Sequence, residues 1–319
     1  MRFSIIPTII LFVGTNLFAQ NSNQVATVIA KQSFNLKQFQ TVKVVGSNLE
    51  LNLKSSESSN LKLNSSGNTD ISAEVDAGVL LIQVNGSSST RLDIQSAAVD
   101  LDISFEKLKL IGNNWSGNID LKGKSLGLKL EESQGRLNIN SLNGNAQILS
   151  HKGNVRVDSF STAFTIKSLE GKLNFTGFQG NQVLNNVKGD LDLSVNQGSL
   201  KVTESEGDLN LTSNRASLQL LGQNGNIKAK LKLGKALISL ADGKRLRVNS
   251  EEAPVTVSLP KTSGAHVNVG TKDGELFYPR YLEMKRYPQW KVASGRLRGS
   301  KNGSVYVRTE KAKVRLVLK

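Results

Sequence analysis

The chain has 319 residues, enough for one long repeat domain or two ordinary domains, yet only 5% are aromatic and two are Met, a poor supply for a thick globular core. It has no Cys, which excludes a disulfide framework and a lipid carried on an N-terminal Cys. Lys and Arg outnumber Asp and Glu by 41 to 26, and the net charge of +15 favours polyanionic surroundings: lipopolysaccharide, anionic lipid, acidic glycan or nucleic acid.

Residues 1–19 read as an export signal. Arg2 supplies the positive start, Ile5 to Val13 the apolar stretch, and Leu17-Phe18-Ala19 a cleavage site. Pro7 and the shortness of the run argue against a permanent span, and no later segment approaches the roughly 20 apolar residues a spanning helix needs. The mature chain is expected to be exported, to the periplasm, the outer surface or the medium.

From residue 20 to about 98 the strands are longer and the glycines aperiodic. Thr41 to Val44, Leu49 to Leu53, Leu61 to Leu63 and Val79 to Val84 alternate as strands do, between Ser, Asn and Gly turns. Over residues 99–259 a strict period takes over. Glycines recur every eighteen residues at Gly117, Gly135, Gly153, Gly171, Gly189, Gly207, Gly225 and Gly243, and a second set falls midway at Gly144, Gly180, Gly198 and Gly234. Apolar pairs follow both sets, such as Leu191 and Leu193 in one phase and Leu200 and Val202 in the other. Side chains two apart on a strand share a face, so Leu191 and Leu193 point inward while Asp192, Asn210 and Lys228 point outward on successive coils.

A fixed period of this kind marks a repeat architecture in which each unit buries its apolar side against its neighbours. The expected fold is all-β: a right-handed parallel β-helix, or β-solenoid, with two nine-residue half-coils per eighteen-residue coil. Residues 260–319 form its basic C-terminal strands and cap, including Ser304 to Val307 and Val314 to Leu318. Helical periodicity is weak throughout.

On these landmarks the chain resembles bacterial putative-adhesin families, among them the secreted auto-transporter adhesins with a head-GIN domain. The opening Phe34 to Val44 is similar to their first pattern, a Phe followed by alternating strand residues. Gly78 to Ile82 matches their glycine before a buried strand, and Val255 to Pro260 their closing Leu-Pro. The resemblance covers nearly all of the mature chain. It implies an adhesin-like solenoid and brings no catalytic residues with it.

Asp190 and Asp208 lie one coil apart and Asp192 shares their strand, which raises the carboxylate pair of a polysaccharide-cleaving β-helix. The next coil carries Asn226 and no cluster of His, Arg or further carboxylate joins them, so solvated turn residues are the stronger reading. Calcium-bound β-rolls share the nine-residue step, but their paired glycines and regular Asp are missing here. His151 and His266 stand far apart with no Cys partners, too little for zinc or a His-based triad. No Gly-rich loop ends in Gly-Lys-Ser/Thr. No cofactor or metal is expected, and the protein is read as no enzyme.

The segment from Phe277 to Lys291 breaks the repeat and mixes rings with cations. Tyr278, Arg280, Tyr281, Lys285, Arg286, Tyr287, Trp290 and Lys291 are the candidate ligand-binding residues, suited to stacking on sugar rings while meeting anionic groups. The same segment suits a cap that shields the end of the solenoid, as terminal repeats must. The leading expectation is an exported, non-enzymatic binding scaffold toward an anionic envelope glycan, lipopolysaccharide or lipid surface. A self-assembling envelope protein and a polysaccharide-active enzyme are the alternatives; export argues against a nucleic-acid partner.

Overall fold

The computed structural model describes residues 25–28, 31–65, 69–86, 88–96, 99–241, 243–299 and 302–319. The expected signal peptide, 1–19, lies outside them. The described chain is all-β apart from one 3-10 turn, Leu36–Gln38, whose preceding Asn35 side chain accepts a hydrogen bond from the Lys37 amide at 3.1 Å. Among the described residues no helix is long and apolar enough to cross a membrane.

Successive coils pair in parallel at the period the glycines announce. Leu101 pairs with Ile119, Ile119 with Leu137, and the step of eighteen continues through Val155, Leu173, Leu191 and Leu209 to Ile227. Each of these residues is almost fully buried, so one apolar column runs down the stack, as a second does through Leu121, Ile139, Val157, Phe175 and Leu193. Burial of these columns at about 25 cal/mol per Å² supplies the driving force of a fold without a thick core. At Ile227 to Leu246 the step becomes nineteen, so Gly243 stands one residue short of the register its sequence position implies.

Each coil is less symmetric than two equal halves. A long strand such as Leu137–Ile148 runs through its midway glycine, Gly144, where φ is +139°, and a two-residue strand, His151–Lys152, then follows. These short strands form a ladder of their own: Ser133–Gln134, His151–Lys152, Leu169–Glu170 and Val187–Lys188. Ser133, His151, Leu169 and Val187 are its buried members. Two residues are too few to show alternation in a sequence, which is why the period alone did not disclose this third ladder.

At many of the turns an Asx side chain, in several cases directly after the ladder glycine, ties one coil to the next. The Asp190 carboxylate accepts from the Asp208 amide at 3.1 Å, Asp208 from the Asn226 amide at 3.0 Å, and the Asn226 carboxamide from the Arg245 amide at 3.1 Å. Asp100, Asn118 and Asn154 make the same bond one coil onward. Asp190 and Asp208 thus satisfy backbone N–H groups at the turns, where the ladder itself leaves donors over.

Both ends depart from sequential stacking. At the N-terminal end, Thr41–Lys54 is inserted between the pair Val79–Asn85 and Thr90–Gln95 on one side and Asp100–Asn113 on the other. The strands Asn60–Ser65 and Asp70–Asp76 fold back antiparallel over the outer layer. At the C-terminal end, Ser304–Thr309 enters in parallel between Arg245–Ser250 and His266–Thr271. The antiparallel hairpin Glu283–Tyr287 and Trp290–Arg296 pairs onto His266–Thr271 and forms the outer edge.

Candidate functional site

Strand alternation and the inserted strand together build a cleft on the outer sheet face at the C-terminal end. Within Ser304–Thr309, Val305 and Val307 are buried, so Tyr306 and Arg308 face outward. In register, Tyr306 stands between Arg247 and Asn268, and Arg308 between Asn249 and Gly270. From the hairpin, Lys285, Tyr287, Trp290 and Ser294 line the same cleft, whose volume is about 600 Å³.

Arg308 organises the floor. Its guanidinium lies 4.6 Å from the Tyr306 ring centroid and 5.7 Å from that of Trp290, and it donates to the Asn268 backbone carbonyl and carboxamide oxygens. Partial burial pulls its pKa down, opposed by the Tyr306 and Tyr287 hydroxyls; an Arg remains charged regardless. Gly270 makes room for this arrangement. A Cβ there would stand 3.1 Å from an Arg308 guanidinium nitrogen and 2.9 Å from the Lys291 carbonyl oxygen. Arg247 also lies over the Tyr306 ring, at 5.6 Å from its centroid, so two cations stand against that ring.

The hairpin divides the sequence candidates by face. Lys285, Tyr287 and Trp290 point into the cleft; Tyr287 is 55% exposed and Lys285 also lies 3.6 Å from Glu283. Arg286 and Lys291 pair across the hairpin on its other side, where the Lys291 ammonium reaches the Gly274 carbonyl at 3.5 Å. Tyr278 packs against the core, whereas Arg280 and Tyr281 are exposed in the loop before the hairpin. Partial desolvation raises the Tyr281 phenol pKa. Phe277 belongs to a separate cluster, with Lys313 at 5.0 Å and Arg315 at 5.5 Å from its ring.

Sequence reasoning missed Tyr306, Arg308, Arg247 and Asn268. Alternation within Ser304–Thr309 marks Tyr306 and Arg308 as outward, but only the insertion of that strand brings them beside Arg247, about sixty residues earlier, and under Trp290. Elsewhere the candidate groups do other work. His151 is buried; its Nδ1 lies 2.9 Å from the Ser133 hydroxyl and its Nε2 2.9 Å from the Gly135 carbonyl. The carbonyl requires the proton on Nε2, leaving Nδ1 to accept from Ser133. Asp192 is held below its usual pKa by Lys172, 2.8 Å away, and by the Asn210 amide. Among the described residues no group of three or more His, Cys, Asp or Glu side chains is placed to hold a metal ion.

The family model Toastrack DUF4097 matches residues 109–240, the regular part of the stack. Every cleft residue from Arg247 to Arg308 lies beyond that range. No curated protein matches the chain. Among solved structures it is similar to a putative cell adhesion protein from Clostridium sporogenes, at 10% identity over 93% of this chain and 100% of that one, with a TM-score of 0.25. It is also similar to a putative adhesin from Parabacteroides distasonis, at 12% identity over 92% of this chain and 97% of that one, TM-score 0.34. A putative adhesin from Parabacteroides merdae shares 12% identity over 93% and 96% of the two chains, with a TM-score of 0.36.

Proposed function

We propose that the protein is an exported, adhesin-like, non-enzymatic scaffold, a right-handed β-solenoid that binds an anionic glycan or lipid surface of the cell envelope through its C-terminal cleft. The observation that carries this reading is the Arg308 guanidinium set against Tyr306 and Trp290 beneath the exposed Tyr287 and Lys285. Rings held in place supply flat apolar area at little entropic cost, and the neighbouring cations supply attraction to phosphate or carboxylate. Of the carboxylates that raised the enzymatic alternative, Asp190 and Asp208 are engaged as turn acceptors and Asp192 pairs with Lys172, which supports a binding role.

Pull-down on isolated lipopolysaccharide, peptidoglycan and anionic liposomes tests the proposal. Binding is expected at low salt, is lost near 1 M salt where the screening length falls to about 3 Å, and is weakened in Tyr287→Ala and Trp290→Ala. Absence of binding at low salt, or binding indifferent to both substitutions, refutes it. A second reading, self-association, is favoured by the outer strand Glu283–Tyr287, all of whose residues are exposed at an open sheet edge. A strict monomer at high concentration, measured by sedimentation, removes that reading.

A further inference from the structure

The cleft is one end of a longer feature. A second depression of about 610 Å³ shares Tyr306 with it and continues over Arg247, Arg245, Lys228 and Asn210. We propose that the two form one track for an extended acidic polysaccharide, lying across the strands along the stacking direction from Trp290 to Lys228. This rests on the reading of the cleft as a site for rings and anions, and adds the class and length of the ligand.

The register supplies the geometry. Lys228 pairs with Arg247, Arg247 with Tyr306, Tyr306 with Asn268, and Asn268 with Ser294, so these side chains form one row on neighbouring strands. Lys230, Asn249 and Arg308 form the row beside it. From Ile227–Leu231 to Glu283–Tyr287 the track crosses six strands, or roughly 24 Å at about 4.8 Å per step. That is much longer than one sugar or one lipid headgroup. The steps offer cations, rings, hydroxyls and carboxamides, and three carboxylates border the track: Asp208 in the second depression, Glu310 in the cleft, and Glu283, which pairs with Ser294 and lies 3.6 Å from Lys285.

Electrostatics separate this end from the rest of the same face. Toward the N-terminal end the corresponding row carries Asp102, Asp120 and Asp192, which meet Lys43, Arg136 and Lys172. Among the described residues, Lys228, Lys230, Arg247 and Arg308 have no carboxylate partner within ion-pair distance. Unneutralised cations spaced along a groove attract a polymer carrying charge at intervals. Tyr306 and Trp290 are half-buried in the groove floor, within reach of a chain that enters it and recessed from a flat bilayer.

Oligogalacturonides of two to eight units are the probe, with neutral cello-oligosaccharides, phosphatidylglycerol vesicles and oligothymidylate as comparators, all by calorimetry on the full mature chain. Affinity is expected to rise at least about tenfold from dimer to hexamer, a gain of about 1.4 kcal/mol. Arg247→Ala and Lys228→Ala each weaken the hexamer several-fold and leave the dimer within about twofold, whereas Trp290→Ala weakens both. Equal affinity for dimer and hexamer, with Arg247→Ala and Lys228→Ala silent, overturns the track while leaving the cleft reading intact. Preference for vesicles, oligothymidylate or neutral sugars over every oligogalacturonide overturns the ligand class. Failure to bind any of the four probes overturns the track and counts against the cleft reading as well.

Discussion

Gly189→Ala tests the physical basis of the glycine period. Gly189 has φ of +143°, and its amide donates to the Glu206 carbonyl at 2.8 Å. A Cβ built there stands 2.7 Å from the Gly171 carbonyl carbon and closer still to its oxygen, inside the 3.0 Å that real Cβ atoms keep. The obstacle is backbone of the preceding coil, so no side chain can swing aside. Backbone strain of about 1–3 kcal/mol adds to a packing conflict of about 1–3 kcal/mol, for an expected loss of about 2–6 kcal/mol. Two controls separate these contributions. Gly78 has φ of +81° in the turn between Asp70–Asp76 and Val79–Asn85, with nothing within 4 Å of a new Cβ. Gly78→Ala should therefore lose only the conformational part, about 1–2 kcal/mol. At Gly127 the nearest atom would be 3.7 Å away and φ lies outside the left-handed region, so Gly127→Ala should be neutral or gain about 0.4–1 kcal/mol through the unfolded chain. Urea melts give the ranking, read as midpoint shifts at constant slope. If Gly189→Ala melts with Gly127→Ala, close coil approach is not what demands glycine.

Further outcomes follow from single side chains. Gln182 is 1% exposed in the column that elsewhere holds Phe164 and Leu200, and among the described residues neither of its amide atoms has a hydrogen-bond partner. Gln182→Leu should raise stability by about 1–3 kcal/mol, and a lower melting temperature would contradict this. Leu191→Ala should cost about 2–5 kcal/mol and outward Asn210→Ala less than about 1 kcal/mol; equal losses in chemical denaturation would undo the inward and outward assignment. Burial lowers the pKa of His151 from 6.5, offset in part by the Gly135 carbonyl. The unfolded chain then binds the proton first, so this contribution is complete above about pH 6.5 and is lost as pH falls from there through the folded pKa. His151→Gln should flatten that acid-side slope, measured as unfolding free energy between pH 4.5 and 7.5 (about three pH units); an unchanged slope assigns it to other groups. Gly270→Ala should displace Arg308 and weaken ligand binding several-fold at the Tyr306 cleft; because the Lys291 backbone carbonyl stands closer still to the new Cβ, it should lower the melting temperature as well. Unaltered binding would show that Arg308 does not organise the rings.

Much of the fold was legible because it is local arithmetic. Leu191 and Leu193 lie two apart and recur at eighteen in Leu209 and Leu211, and the observed pairing repeats that interval. The third ladder was not legible, since His151 and Leu169 sit in two-residue strands that show no alternation. The candidate site was legible in part. Lys285, Tyr287 and Trp290 stood out as a break in the repeat, but their division from Arg286 and Lys291 needed the hairpin register. Tyr306 lay in an expected strand and Arg308 just beyond it, with no sign of what either faces.

The parallel coil, its eighteen-residue step, its apolar columns and a basic, aromatic break at the C-terminal end are all written in the order of residues. Each of these follows from side-chain alternation and from glycine where coils approach. The tertiary structure alone decided the order of coils at the two ends. Val305 with Val307 and Val267 with Val269 present equivalent buried faces, so either strand fits against Leu246 and Val248. Local pattern cannot choose between equivalent faces; the choice belongs to the whole set of contacts made by the hairpin, its connections and the final strand. That choice puts Arg247, Tyr306, Arg308 and Trp290 on one groove floor.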